Sequence, residues 1–257
     1  MLTSFYASMK TNDEVLLSMH RALVASTSAA LEKYAVFFKT TLTDASDVWH
    51  QFGVFGPEAT AALRPAFQEI PAPNQAVADT EGNMLLALGP ELFIVLAQAD
   101  RAPEMWAKLT QSLQPAGLPL WSRQMIMSGL ALVTPTLTEQ FIPQMFNLQA
   151  IGGVSFKKGC YTGQEVVARM QYLGQLKRRT YIVRIRSERI PPPGSPIENI
   201  DDGKSLGTVI LAAPIDARDV IMLVVLREAA LEEDRLAFDG QALAFAVQDL
   251  PYEISDQ

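Results

Sequence analysis

The 257 residues carry 28 acidic against 21 basic side chains, a net charge of −7, with an isoelectric point near 4.9 and 49% hydrophobic content. Such a chain can bury a large core split over two or three domains, and so acidic a surface opposes general binding of a polyanion such as RNA. No apolar run approaches the roughly 18 residues needed to span a bilayer, and Met1 does not open a signal peptide; the single cysteine, Cys160, excludes an intramolecular disulfide and fits a reducing cytoplasm.

In chain order, Leu2 to Met9 and Val15 to His20 read as strands joined at Thr11-Asn12-Asp13, a hairpin. Arg21 to Tyr34 suits a helix, Val36 to Leu42 a further strand, and Val48 to Phe55 another that stops at Gly56-Pro57. A helix is expected over Pro57 to Ile70, kinked or shortened by Pro65. Met84 to Leu88 and Leu92 to Ala97 form a second hairpin around Gly89-Pro90, followed by a helix over Pro103 to Leu113 and helical character over Ser122 to Leu130. Past Arg179 the pattern changes to short alternating runs, Tyr181 to Arg186, Gly207 to Ala212, Val220 to Arg227 and Ala242 to Gln248, the signature of a small antiparallel barrel. The reading is an α+β protein with a C-terminal antiparallel β-barrel, divided as 1–46, 47–176 and 177–257.

The chemistry concentrates at Lys157 to Glu165, Lys-Lys-Gly-Cys-Tyr-Thr-Gly-Gln-Glu. Thr162 and Glu165 have capping-box spacing, which predicts a helix from about Gly163 to Tyr172 with Val166, Met170 and Leu173 on its inward face, Val167 beside them, and Gly174 as a left-handed C-cap. Glu165 and Arg169, four apart, suit an exposed ion pair. Cys160 then lies just before the positive end of a helix dipole and beside Lys157 and Lys158, surroundings that favour the reactive thiolate. The competing reading is a small inert core residue. His20 and His50 are the only histidines, thirty residues apart with no cysteine nearby, so no metal site is expected.

Lys158-Gly-Cys-Tyr-Thr-Gly-Gln-Glu165 resembles the signature of the folate-binding YgfZ family, relatives of the glycine-cleavage aminomethyltransferases. Lys33-Tyr34-Ala35-Val36-Phe37-Phe38-Lys39, Phe141-Ile142-Pro143-Gln144 and Asn147 to Phe156 are also similar to that family. The resemblance implies an aminomethyltransferase-like fold and a tetrahydrofolate-binding accessory protein that supports iron–sulfur cluster assembly and tRNA modification. Cys160 would be its functional thiol, assisted by Lys158, and iron–sulfur enzymes or assembly proteins its partners. A folate-dependent one-carbon transferase is the alternative, but those enzymes lack the cysteine signature.

Trp121 is core on general grounds, yet the resemblance places it against the pterin ring. The other candidate folate contacts are Lys158, Tyr161, Gln164, Glu165 and Arg169. From Lys157 to Arg179 the local charge is +5 against −12 for the remainder, a strip that would draw the glutamate tail of a folate or a run of phosphates, although Lys177 to Arg179 also suit a solvated lead-in to a strand. The resemblance implies that members usually carry a further strand, a helix and another folate-contacting aromatic ahead of the position of Met1. Without them the expectation is weak folate affinity, unless a second chain supplies the missing wall, and an unpaired edge near Leu2 to Met9 prone to self-association.

Overall fold

A computed structural model describes residues 1–172, 174, 176–231 and 235–254. The chain divides into two compact units, Thr3–Gly117 and a second made of Met1–Leu2 with Leu118–Gln257.

The first unit opens with β1 (Tyr6–Met9) and β2 (Val15–Ser18), an antiparallel hairpin in which Tyr6 faces Ser18 and Met9 faces Val15. A 3₁₀ turn leads into α1 (Val24–Ala35), and His20 Nδ1 accepts from the Ala22 amide there, a structural use of that histidine. Then follow β3 (Trp49–Phe55), α2 (Ala59–Leu63), β4 (Ala76–Ala78), β5 (Met84–Gly89), β6 (Leu92–Gln98) and α3 (Ala102–Leu109). The strands form one antiparallel sheet in the order β3-β6-β5-β4. Strand alternation puts Leu85, Ala87, Phe93 and Val95 on one face, in a core with Leu63 of α2 and Met105 and Leu109 of α3.

Three expected elements differ. Val36 to Leu42 is not a strand: residues 36–39 form a turn in which Phe37 and Phe38 donate to Tyr34 and Ala35 carbonyls, so the backbone is satisfied locally without a sheet partner. The β-branched and aromatic composition that suggested a strand remains, with Val36, Phe37 and Phe38 all more than 70% exposed. The Pro57 to Ile70 helix shrinks to five residues that end before Pro65, as a ring lacking an amide hydrogen requires. The helix expected over Pro103 to Leu113 ends at Leu109, and the three-residue β4 gave no signal at all.

The second unit contains α4 (Leu118–Met127), two 3₁₀ turns at Pro135–Leu137 and Pro143–Phe146, and α5 (Gln164–Tyr172). Seven strands follow: β7 (Arg178–Arg186), β8 (Pro196–Asn199), β9 (Ser205–Pro214), β10 (Asp219–Arg227), β11 (Leu236–Phe238), β12 (Gln241–Ala242) and β13 (Phe245–Gln248). All pairings are antiparallel in the order β12-β11-β8-β9-β10-β7-β13, so the C-terminal barrel takes the form of a curled half-barrel with β12 and β13 as its edges. Val183, Ile185, Val209, Val220, Met222, Val224 and Leu226 alternate onto one face and share a core. The opposite face of β10, with Ile221, Leu223 and Val225, is also buried, and α4 packs on β9 and β10. Gly207 of β9 allows this close pairing: a Cβ there would stand 2.5 Å from the Val225 carbonyl oxygen of β10.

Candidate functional site

Cys160 is exposed, in an irregular segment four residues before α5, and is not a core residue. The helix starts one residue later than the capping-box reading places it. Gly163 supplies the carbonyl for the first helical bond, to the Val167 amide at 3.3 Å, and has φ +87°, a conformation that costs glycine little. Gly174 is not in the left-handed region. A Cβ there would sit 2.8 Å from Met170 Sδ, so its small size accommodates close contact instead.

The inward face of α5 is also shifted. Val167 is buried at 6% exposure while Val166 is 56% exposed; Met170 is half-buried, and Leu173 lies outside the described residues. The Glu165–Arg169 pair does not form: both side chains are exposed, and among the described residues no ion pair joins them. Lys158 contacts an aromatic ring next to Cys160 in sequence. Its Nζ lies 4.3 Å from the centroid of the Tyr161 ring, a cation–π contact between residues that flank Cys160 in sequence. Tyr161 is half-buried and its carbonyl accepts from the Gln164 amide at 3.1 Å, so contacts run from Lys158 to Tyr161 and from Tyr161 to Gln164.

What anchors α5 is the segment Pro143 to Gln149. Gln144, 2% exposed, donates from Nε2 to the Val167 carbonyl at 2.7 Å. Asn147, fully buried with φ 55°, donates from Nδ2 to the Thr180 carbonyl at 2.9 Å, while Thr180 Oγ1 donates to the Met145 carbonyl at 2.8 Å. Three side-chain acceptors of this segment, Gln144 Oε1, Asn147 Oδ1 and Gln149 Oε1, are buried without a hydrogen-bond partner among the described residues. Buried orphan acceptors cost about 1–3 kcal/mol each, so three in six residues mark an unusual place in the fold. In the sequence these residues stand out only as three amide side chains, Gln144, Asn147 and Gln149, within an otherwise apolar stretch.

Trp121 is half-buried on α4, whose main packing partners are β9 and β10, whereas α5 packs on the Pro143–Phe146 turn. Two concave surfaces, about 390 Å³ beside Val24, Leu31 and Trp49 in the first unit and about 450 Å³ beside Arg186 and Asp219 in the second, include neither Trp121 nor the 157–169 segment. Among the described residues no cluster of histidine, cysteine and carboxylate side chains could hold a metal ion, and no helix is long and apolar enough to cross a membrane.

No protein-family model matches the chain. The tRNA-modifying protein YgfZ of Klebsiella pneumoniae (strain 342) is 34% identical over 230 residues, covering 88% of this chain and 70% of that protein. The chain belongs to the YgfZ family. The YgfZ proteins of Yersinia pseudotuberculosis serotype O:1b (strain IP 31758) and Yersinia pestis (strain Pestoides F) are each 32% identical over 241 residues, covering 92% of this chain and 73% of theirs. Among solved structures, the glycine cleavage system aminomethyltransferase T of Bartonella henselae aligns with a TM-score of 0.65 at 16% identity, over 92% of this chain and 67% of that one. The YgfZ-family chain therefore has the aminomethyltransferase fold.

Proposed function

We propose that this YgfZ-family chain is a folate-binding accessory protein that supports tRNA modification and iron–sulfur cluster upkeep in a reducing cytoplasm, with Cys160 as its functional thiol. The observation that carries the reading is an exposed thiol in a loop whose neighbours, Lys158 and Tyr161, are held in contact with each other 4.3 Å apart. A thiol destined only for the core would be sealed; this one is open to a partner or a reagent.

The residues present suit a folate. A pterin offers N–H donors along its pyrimidine edge, and the orphan acceptors of the Gln144–Gln149 segment are of the type that would receive them. A half-buried indole such as Trp121 suits stacking on the pterin face. Lys158 and Arg169, both exposed, suit the carboxylates of the glutamate tail, with Tyr161, Gln164 and Glu165 lining the same segment. Bound folate would supply a one-carbon carrier; the chain's own residues hold and orient it. Support for the tRNA role comes from the names of the relatives, and for the iron–sulfur role and its protein partners from the Cys160 signature.

The test is a titration of tetrahydrofolate followed by tryptophan fluorescence. Saturable quenching that disappears in Trp121→Phe is expected. No change at high ligand, or equal quenching in Trp121→Phe, rejects the site.

A further inference from the structure

We infer that Tyr252, near the C-terminus, is a positioning residue that ties the end of the Trp121 helix to the segment anchoring the Cys160 helix, through a single hydroxyl. The inference rests on the folate reading for its ligand arm only. Tyr252 Oη donates to the Gly129 carbonyl at 3.0 Å, two residues past the end of α4. The same oxygen accepts from Asn147 Nδ2 at 3.4 Å, and that nitrogen also donates to the Thr180 carbonyl of β7 at 2.9 Å. Asn147 directly follows the turn from which Gln144 grips Val167 of α5. One phenol oxygen thus joins Gly129, just past α4, to Asn147, in the segment that holds α5, and it does so from position 252.

The packing around the hydroxyl is close. Gly129 has φ +64°, and a Cβ on it would lie 2.6 Å from Tyr252 Cε1, so the backbone turn after α4 is shaped to the ring. Asn147 reaches its left-handed conformation with a fully buried side chain whose amide is divided between the strand and the phenol. Burial pushes the Tyr252 phenol above its ordinary range, opposed by the Asn147 hydrogen bond, so the hydroxyl keeps its proton and can donate to Gly129. A residue serving only to secure the chain end has no need of a shared contact with Asn147.

The experiment uses the full chain carrying Trp49→Phe and Trp106→Phe, which leaves Trp121 as the sole indole. Tyr252→Phe keeps the ring and removes the oxygen. Without ligand, amide exchange over Gln164–Tyr172 should quicken about tenfold while exchange in β9 and β10 stays unchanged, and tetrahydrofolate should bind about tenfold more weakly, the loss of one well-placed hydrogen bond. Asn147→Asp, which keeps the side-chain shape but replaces the shared nitrogen by oxygen, should loosen α5 in the same way. Exchange that changes only around residues 129–130 and 250–254, with α5 as in the parent protein for both variants, overturns the inference. If α5 loosens while neither parent nor variant binds tetrahydrofolate, the positioning role stands and the folate reading falls.

Discussion

Gly129→Ala probes a position constrained both by its left-handed backbone and by the Tyr252 ring packed on it. Alanine at φ +64° carries about 1 kcal/mol of left-handed strain. The new methyl would lie 2.6, 2.7 and 2.9 Å from Cε1, Oη and Cζ of Tyr252, so the ring must move away. Moving it gives up the 3.0 Å bond to the Gly129 carbonyl, about 1 kcal/mol, and part of the ring's burial, about 1 kcal/mol more. The total of about 3 kcal/mol lowers Tm by roughly 6–12 °C for a chain of this size. Thermal unfolding by circular dichroism measures it, and a double-mutant cycle isolates the cause. In a Tyr252→Ala background the same substitution should cost only the backbone strain, about 1 kcal/mol. Equal costs in both backgrounds would refute the clash with Tyr252.

The shifted face of α5 has a direct consequence. Val167→Ala should destabilise the protein by about 2 kcal/mol, whereas Val166→Ala, at a site 56% exposed, should change stability by less than about 0.5 kcal/mol in chemical denaturation; the reverse order would restore the face read from periodicity. Alkali should act partly through Tyr252. Its folded value is raised by burial above the ordinary 10.0, so its contribution is intact below pH 10.0 and is lost as pH climbs beyond that, where the unfolded chain ionises first. Tyr252→Phe should flatten the fall in stability above that pH, and an unchanged slope would show that other groups dominate.

The strongly patterned parts of the fold were legible in the sequence. The hairpins β1–β2 and β5–β6, the long barrel strands β7, β9 and β10, and α5 each announce themselves by alternation, by helical spacing or by turn residues. The strands that escaped notice, β4, β8 and β11, have three or four residues and exist through their neighbours: β8 opens at a proline and pairs with β9 and β11. Val36 to Phe38 misled because strand-like composition does not supply a sheet edge to pair with. At the site, the motif and its helix could be read, but the choice between Val166 and Val167 is made by packing on the distant Pro143–Phe146 turn, which helical spacing alone does not show. The Gln144–Val167 and Tyr252–Gly129 bonds span 23 and 123 residues, and no local pattern encodes such pairings.

On the proposed function, the Cys160 loop and Trp121 serve one folate site. Labelling of Cys160 by iodoacetamide, timed with and without tetrahydrofolate, tests it most directly, since the thiol is exposed and should react readily in the native protein. Tetrahydrofolate should slow labelling at least about tenfold, with the same concentration dependence as the quenching of Trp121. Labelling that proceeds at an unaltered rate while Trp121 is fully quenched would contradict it.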